Sequence, residues 1–356
     1  MKSLGNFPDP FIAEIAEQPA AMRRAGAAAV EQADLLRAAA APARHGRIVL
    51  AGMGSSYDAC YPATTVLAAA GISAPMVDAA ELLHFRLPAL GGSDLLVLVS
   101  QSGQSAETVG VARALRHRET AAPTIVSVTN GTANTLAGLA DVALDTRAGD
   151  EAGPSTITFA AALTIMGAIS LAIAGDPEDA PATTAREADR AADAIQALLA
   201  DGDLPDRLTT WHAERTTTVI LGRGAARAAA EMGALTVKEA AGMPIEALET
   251  AQFRHGPLEL AGPGLAAIMI ATEPGTADLD RSLAEELTRL GSTVLFVTAD
   301  GSAPDGTVSL DVGPLDRLLG PAVAIVPIQL LAWRLSVASG RPPGSYLHAT
   351  KVTTHE

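Results

Sequence analysis

The sequence predicts an α/β protein built from two tandem, doubly wound domains, each with a mostly parallel sheet. Three observations lead to this fold class: an internal duplication, short apolar runs bounded by Gly, Ser or Asp, and alanine-rich segments between those runs. Short apolar runs are typical of strands that are buried on both faces. Runs that alternate with helices indicate parallel strands joined by crossover helices. The 356 residues provide room for about two such domains.

The duplication rests on four short matches that occur in the same order along the chain. Each match pairs two predicted strands, and two of the matches include the glycine-containing loop that follows. The matched ranges are 48–54 with 218–224, 95–103 with 267–275, 124–129 with 293–298, and 142–145 with 308–311. One match alone would only indicate a buried strand followed by glycine. The shared order therefore indicates two related flavodoxin-like or Rossmann-like domains.

Helical segments and a linker complete the predicted organisation. Residues 106–118 and 277–290 are long enough to be crossover helices, and residues 185–200 predict a helix between the two copies. The acidic, proline-containing stretch 175–184 predicts a surface linker. The predicted parts are an N-terminal helical arm at 1–45, a first domain at 46–175, a linker and helix at 176–212, a second domain at 213–335 and a C-terminal tail at 336–356.

Composition and charge exclude several classes of protein. The formal net charge of −15 argues against a nucleic-acid partner, because such a partner requires a basic surface. The single cysteine, Cys60, excludes an internal disulfide and fits a reducing cytosol. The first ten residues lack the pattern of a signal peptide. We find no apolar run of ~18–20 residues without a charge or a helix breaker, so we expect a cytoplasmic protein with no membrane span.

Two predicted strand ends in the first domain carry loops of glycine and small hydroxyl residues. Gly52–Tyr57 follows the first strand, and Ser100–Ser105 follows the next clear strand. Parallel sheets bind ligands at the carboxyl ends of their strands, where helix N-termini offer unpaired N–H donors. Each loop alone could be a capped turn, but two such loops favour a phosphate site without lysine or arginine. The second copy has Thr-Glu-Pro-Gly at 272–275, so we expect one phosphate site per chain.

Six segments of the sequence resemble the SIS (sugar isomerase) family. They are GMGSSYDA, VLVSQSGQSAET, EAGPSTITF, LGRGAARAAAEMGALTVKEAA, FRHGPLEL and HATKVTTHE. The resemblance covers roughly residues 46–356 and is strongest to the isomerase half of glucosamine-6-phosphate synthase. It extends to stand-alone hexosamine-phosphate deaminases and to deglycases of fructosamine phosphates. The synthase also carries a glutaminase domain with an N-terminal cysteine nucleophile, and we expect no such domain in this chain.

The resemblance implies which residues form the site. The family's phosphate-binding positions fall on Gly54, Ser55, Ser56, Ser100, Gln101, Ser102 and Ser105. Its catalytic glutamate falls on Glu239, its ring-opening histidine on His255 and its C-terminal active-site lysine on Lys351. A carboxylate can carry a proton between C1 and C2, and an imidazole can open the sugar ring. An amine near C2 can stabilise an oxyanion or form a Schiff base.

The structural alternatives for these residues are ordinary ones. Glu239 could be a solvated helix carboxylate, His255 a residue of a turn, and Lys351 part of an unremarkable tail. Lysine is rare, however, with three among the 25 Lys and Arg residues, and Lys351 is one of the three. The sequence departs from the family at two positions that usually hold lysine, which here are Ile157 and Thr236. These departures make strict ammonia transfer a weaker expectation and an unusual sugar a stronger one.

The sequence therefore predicts a phosphosugar enzyme of the aldose–ketose isomerase or glucosamine-6-phosphate deaminase type. It would act on an amino-sugar or hexose 6-phosphate by proton transfer between C1 and C2. Two alternatives remain open: a fructosamine-type 6-phosphate deglycase, and a sugar-phosphate sensor without chemistry. The seven histidines show no metal-ligand spacing, so we expect no metal and no cofactor. The resemblance also implies a homodimer whose subunits share active sites.

Overall fold

The computed structural model describes residues 10–44 and 46–355 and divides them into two compact units. The first unit comprises residues 18–151, 155–192 and 348–355, and the second comprises residues 10–17, 152–154 and 193–347. Each unit contains one five-stranded sheet in which every strand pair is parallel. The predicted fold class is confirmed. Residues 1–9 and 45 of the predicted N-terminal arm, and residue 356, lie outside the described residues.

The sheet of the first unit has the strand order β2-β1-β3-β4-β5, which is the flavodoxin-like order. Its strands are β1 (Ile48–Gly52), β2 (Met76–Asp78), β3 (Leu95–Val99), β4 (Thr124–Thr129) and β5 (Val142–Asp145). The apolar runs of β1 and β3 are buried along their whole length, as expected for strands covered on both faces. Because β1 lies between β2 and β3, the chain leaves β1 at the point where the strand order reverses.

The second unit repeats this arrangement, with the order β10-β9-β8-β6-β7. Its strands are β6 (Thr217–Gly222), β7 (Glu246–Glu249), β8 (Leu265–Ala271), β9 (Thr293–Thr298) and β10 (Val308–Asp311). The equivalent strands of the two sheets follow one another in the same spatial order, so the predicted duplication is confirmed. Strands β2 and β7 were not predicted from the sequence. Both are short, lie at a sheet edge and lack the continuous burial of the inner strands.

Fourteen α-helices are described, and they connect and flank the strands. They are α1 (Pro10–Glu31), α2 (Ala33–Ala40), α3 (Ser55–Asp58), α4 (Tyr61–Ala69), α5 (Ala79–Glu81), α6 (Ala106–Arg116), α7 (Thr135–Leu139), α8 (Ile157–Ala174), α9 (Ala180–Ala200), α10 (Leu204–His212), α11 (Arg227–Ala241), α12 (Ala277–Arg289), α13 (Gly320–Ala324) and α14 (Val326–Ala338). The predicted crossover helices correspond to α6 and α12. Helix α9 begins at Ala180, within the stretch predicted as a linker and five residues before the predicted start of the helix at 185. Pro181 does not prevent this, because proline is compatible with the first turn of a helix.

Two segments are long and apolar enough to cross a membrane by length and composition, Ile157–Ala174 and Gly320–Ala338. The expectation that no such run occurs is wrong for α8, where Ile157–Ala174 form 18 residues without a charge and the helix continues through Gly167. Of the two segments, 83% and 78% are buried inside the protein. A core helix of a folded domain meets the same criterion of length and composition, so these segments are weak evidence for a membrane span.

The second unit buries an ion pair next to the carboxyl end of its sheet. Arg223 directly follows β6, and its Nε donates to Oδ1 of Asp280 at 2.7 Å. Asp280 lies on α12 and is 1% exposed. Burial raises the pKa of Asp280 from 3.8 to about 6, and the attraction of the Arg223 guanidinium opposes this rise without cancelling it. The carboxyl group is therefore harder to ionise in the folded protein than in the unfolded chain.

This raised pKa makes stability depend on pH. Between about pH 4 and 6 the folded protein retains a proton on Asp280 that the unfolded chain has lost, so stability falls as the pH rises through this window. The interval between 3.8 and about 6 corresponds to about 3 kcal/mol at most. We expect Asp280→Asn to flatten the pH dependence of the unfolding free energy, measured by urea denaturation from pH 4 to about 7. Asp278→Asn, at a 97% exposed carboxylate on the same helix, is the control. If the unfolding free energy of Asp280→Asn depended on pH as steeply as that of the wild-type protein, the raised pKa of Asp280 would be contradicted.

Candidate functional site

Two loops of the first unit meet at a pocket beside the carboxyl ends of β1 and β3. Ser55 and Ser56, from the loop after β1, and Gln101, from the loop after β3, line this pocket. The two strands are parallel neighbours, so the loops that follow them leave the sheet at the same edge. The remaining lining residues of this pocket are Val99, Val128, Asn130, Thr146, Thr158, Phe159 and Ala162.

The loop after β1 turns sharply into helix α3. Gly54 is exposed, immediately precedes α3 and has a φ of +50°, in the region that favours glycine. A Cβ at Gly52 would lie 2.9 Å from the carbonyl carbon of Ser56, so the close turn also requires glycine there. Ser55 is half-buried, and its Oγ donates to Oγ of Ser155 at 3.1 Å. Ser56 is buried in the first turn of α3.

The loop after β3 is held in a compact turn by its own serines. Ser100 and Ser105 share a hydrogen bond between their Oγ atoms at 3.1 Å, and Oγ of Ser102 accepts the amide N–H two residues further on. The carbonyl of Gln101 accepts the N–H of Asn130 at 2.9 Å. Ser105 is the residue before the first residue of α6. All four predicted residues of this loop therefore lie between the end of β3 and the start of α6.

Gly103 fixes the shape of the same loop. Its φ is +61°, and a Cβ there would collide with the amide group of Asn134. Asn134 in turn accepts the N–H of Ala137 and so caps α7, and the carbonyl of Gly103 accepts the N–H of Leu136 at 3.0 Å. The loop is thus packed against the start of α7, which requires glycine at position 103.

Besides Thr158 of α8, two polar residues of the pocket, Asn130 and Thr146, were not predicted from the sequence. Asn130 follows β4, and its side chain donates to the carbonyl of Gly149 and accepts the N–H of Ala148. Thr146 follows β5 and is 3% exposed, and its hydroxyl has no hydrogen-bond partner among the described residues. Both residues come directly after a strand of the parallel sheet. The rule that identified the two serine loops therefore also identifies these residues, if it is applied to every strand.

The C-terminal tail lies against the loop after β3 in the first unit. The carbonyl of Thr353 accepts the N–H of Ala106, the first residue of α6, at 3.0 Å. Nζ of Lys351 forms an ion pair with Oε2 of Glu151 at 2.5 Å. The Lys351 side chain is 20% exposed and the Glu151 side chain is fully buried. The structure therefore brings Lys351 into the same unit as the serine loops, next to a carboxylate that was not predicted from the sequence.

The other two predicted catalytic residues lie in the second unit. Glu239 is half-buried near the C-terminal end of α11, which Gly242 closes in a left-handed conformation with a φ of +65°. His255 is exposed directly after a short 3₁₀ turn, and its N–H donates to the carbonyl of Gln252 at 2.9 Å. The catalytic roles of Glu239 and His255 stay predictions.

Both positions that depart from the family pattern are buried. Ile157 is the first residue of α8 and is 1% exposed. Thr236 is 0% exposed, and its Oγ1 donates to the carbonyl of Met232 within α11 at 2.8 Å. An unpaired ammonium would be costly at either position. In this chain the two positions hold side chains that pack or bond locally without a charge.

In the second unit, the loop after β6 donates a hydrogen bond to a carboxylate of the loop after β8. In the duplication, Ala225 corresponds to Ser55 and Glu273 corresponds to Gln101. The N–H of Ala225 donates to Oε1 of Glu273 at 3.1 Å, and Glu273 pairs with Arg317 at 3.1 Å. Both Glu273 and Arg317 line a pocket of the second unit. The second copy thus directs an acidic side chain toward its loop, where the first copy has neutral donors.

The first-unit site offers hydroxyl, amide and ammonium donors. The start of α6 adds the positive end of a helix dipole, and this combination suits an anion such as a phosphate.

Burial raises the pKa of Cys60, so this residue remains a thiol rather than a thiolate nucleophile. Within residues 10–44 and 46–355, no group of three or more His, Cys, Asp or Glu side chains is arranged to hold a metal ion.

Comparison with known proteins identifies the family. The SIS domain model matches residues 43–172 and 213–312, which together make up more than half of the chain. The chain belongs to the SIS domain family, and the resemblance found in the sequence is confirmed.

Individual relatives define the similarity further. The chain is 31% identical to the isomerizing glutamine–fructose-6-phosphate aminotransferase of Aeropyrum pernix, over 99% of this chain and 58% of that protein. Its fold matches the C-terminal domain of glucosamine-fructose-6-phosphate aminotransferase from Francisella tularensis, with a TM-score of 0.83, 22% identity and coverage of 96% and 99%. It also matches tagatose-6-phosphate ketose/aldose isomerase from Escherichia coli, with a TM-score of 0.78, 22% identity and coverage of 97% and 98%. The chain spans about three fifths of the length of the curated relatives.

Proposed function

We propose that this protein is a phosphosugar enzyme of the aldose–ketose isomerase or deaminase type. It acts on an amino-sugar or hexose 6-phosphate by moving a proton between C1 and C2. The observation that carries the proposal is the meeting of two serine-rich loops at one pocket of the first unit, with Lys351 in the same unit. The names of the Aeropyrum pernix and Escherichia coli relatives both describe enzymes of hexose 6-phosphates.

In this proposal the phosphate binds to the two loops. Ser55, Ser56, Ser100, Ser102 and Ser105 supply hydroxyls, and the start of α6 supplies backbone N–H groups. Neutral donors and a helix dipole can hold a dianion although the protein as a whole is strongly acidic. Gly54, at the turn into α3, allows the backbone to approach the ligand closely.

The chemistry is assigned to three side chains. His255 opens the sugar ring by transferring a proton between the ring oxygen and the C1 or C2 hydroxyl. Glu239 removes the proton from one of these two carbons, the electron pair of that C–H bond forms the C1=C2 double bond, and the former carbonyl oxygen takes up a proton to give the enediol. The same carboxyl group returns the proton to the other carbon, while the hydroxyl on the first carbon loses its proton and becomes the new carbonyl. Lys351 stabilises the negative charge on the sugar oxygen during this transfer.

Binding of a hexose 6-phosphate should stabilise the folded protein. At a ligand concentration 100 times the dissociation constant, the expected gain is about 2.7 kcal/mol, measured as a rise in melting temperature with fructose 6-phosphate. Fructose without the phosphate is the control ligand and should stabilise far less. Ser102→Ala should reduce the gain, because its hydroxyl belongs to the loop that holds the phosphate. If fructose stabilised the protein as much as fructose 6-phosphate, the phosphate assignment would be wrong.

Replacing Glu239 by glutamine should slow turnover without preventing binding. The substitution keeps the shape of the side chain and removes its basicity, so kcat should fall by ~10²–10⁴. Glu285→Gln removes an exposed carboxylate from α12 of the same unit and should leave kcat unchanged. Turnover in heavy water should place deuterium on C1 or C2 of the product. A wild-type kcat in Glu239→Gln would contradict the assignment, and binding without any turnover or label would favour a sensor.

The resemblance further supports a homodimer in which subunits share active sites. We propose that His255 of one subunit serves the substrate bound by its partner. Mixing inactive Glu239→Gln protein with inactive His255→Ala protein should then restore part of the activity, because a mixed dimer contains one intact set of residues. Two portions of the same variant, mixed under the same conditions, are the control. A monomeric mass in light scattering under assay conditions would refute this assembly.

A further inference from the structure

The carboxylate of Glu273 lies between the loops that follow β6 and β8 in the second unit. Its Oε1 accepts the N–H of Ala225 at 3.1 Å, and its Oε2 pairs with Nε of Arg317 at 3.1 Å. The Glu273 side chain is 10% exposed. One oxygen therefore meets a backbone N–H and the other a guanidinium, which is how proteins commonly bind an oxyanion. The proposed function assigns no role to these three residues.

The glycine turn after β6 has the same shape as the turn after β1 in the first unit. Gly224 has a φ of +57°, and the equivalent Gly54 has a φ of +50°. A Cβ at Gly224 would lie 3.3 Å from the carboxyl carbon of Glu273, so the carboxyl group packs directly against the turn. An external anion that bound to this turn would have to take the place of that carboxyl group.

The Glu273 carboxylate also borders a cavity. Ala225, Glu273 and Arg317 line this cavity, whose volume of about 130 Å³ is roughly ten times the ~10–15 Å³ that one water molecule needs. The Arg317 side chain is 48% exposed, so its guanidinium is accessible to a ligand. Asp316 lines the cavity too, but its Oδ1 accepts two backbone N–H groups of its own turn, at 2.7 and 3.2 Å. The cavity therefore has room for a small ligand beside a cationic side chain.

Backbone hydrogen bonds hold both loops without help from the Glu273 carboxylate. The N–H of Ala226 donates to the carbonyl three residues before it at 3.1 Å, and the N–H of Thr276 donates to the carbonyl of Glu273 at 3.1 Å. A shorter side chain at position 273 leaves both bonds in place, because they involve only main-chain atoms. The loops should therefore keep their shape when the carboxylate is removed.

We propose that these loops form a second anion-binding site whose ligand is the protein's own Glu273 carboxylate. Glu273 occupies the N–H of Ala225 and pairs with Arg317, and its charge repels an incoming anion. Without this carboxylate, the site binds an inorganic oxyanion such as phosphate between the Ala225 N–H and the Arg317 guanidinium. The inference goes beyond the proposed function, since it concerns the second unit alone and requires no turnover.

Titration with inorganic phosphate tests the proposal, with the ionic strength held constant and the amide chemical shift of Ala225 as the signal. Glu273→Ala should show a saturable shift, and the wild-type protein should show none. Glu273→Gln should bind phosphate more weakly than the alanine variant, because its amide oxygen still accepts the Ala225 N–H although the charge is gone. Glu285→Ala removes an exposed carboxylate from α12 of the same unit and is the matched control, which should behave like the wild-type protein.

The contribution of Arg317 is measured in the same titration. Adding Arg317→Ala to Glu273→Ala should weaken phosphate binding at least about tenfold, as expected when a hydrogen bond to a charged group is lost. Equal affinity with and without the guanidinium would overturn the proposal, and so would a saturable shift of the Ala225 amide in the wild-type protein. Glu273→Gln keeps the shape of the side chain, so the test does not depend on the folding of the alanine variant. A Glu273→Gln protein that bound phosphate at Ala225 no better than the wild-type protein would overturn the proposal as well.

Discussion

The parallel pairing of β1 with β3 is the constraint on which the site of the first unit depends. The register that joins Ala51 to Leu98 ends both strands at the same edge of the sheet. The two serine-rich loops must leave from this edge, because every strand of the sheet points in one direction. Burial of β1 and β3 along their whole length fixes these strand ends. The pocket, the start of α6 and the tail that binds there all follow from this pairing.

The two copies of the fold show how the same backbone arrangement supports different chemistry. Both have a glycine turn after the first strand and a second loop beside it. In the first unit these loops carry serines, and a buried Glu151 supports a lysine of the tail. In the second unit Glu273 accepts the N–H of Ala225 and is balanced by Arg317. A carboxylate in that position repels a phosphate, which gives a physical reason for the expectation of one phosphate site per chain.

Much of the fold could be predicted from the sequence because the inner strands are continuous apolar runs bounded by polar residues. The edge strands β2 and β7 could not, since each is short and partly exposed and has no such pattern. The opposite edge strands β5 and β10 are also short and partly exposed, but they were found because the two copies match there. The serine loops were found from their place after two strands, whereas Asn130 and Thr146, in equivalent places after β4 and β5, were missed. The pairing of Glu151 with Lys351 could not be predicted, because it joins residues 200 positions apart and depends on where the tail packs. The roles of Glu239 and His255 come from the family resemblance and not from spacing.

We propose that the first unit, and not the second, holds the phosphate of a hexose 6-phosphate. A crystal structure of the protein soaked with fructose 6-phosphate distinguishes the two positions. Phosphate oxygens should lie at hydrogen-bonding distance from the hydroxyls of Ser100, Ser102 and Ser105, with the sugar extending toward Lys351. A phosphate bound instead beside Arg317, at the Ala225 loop of the second unit, would show that the phosphate site was assigned to the wrong unit.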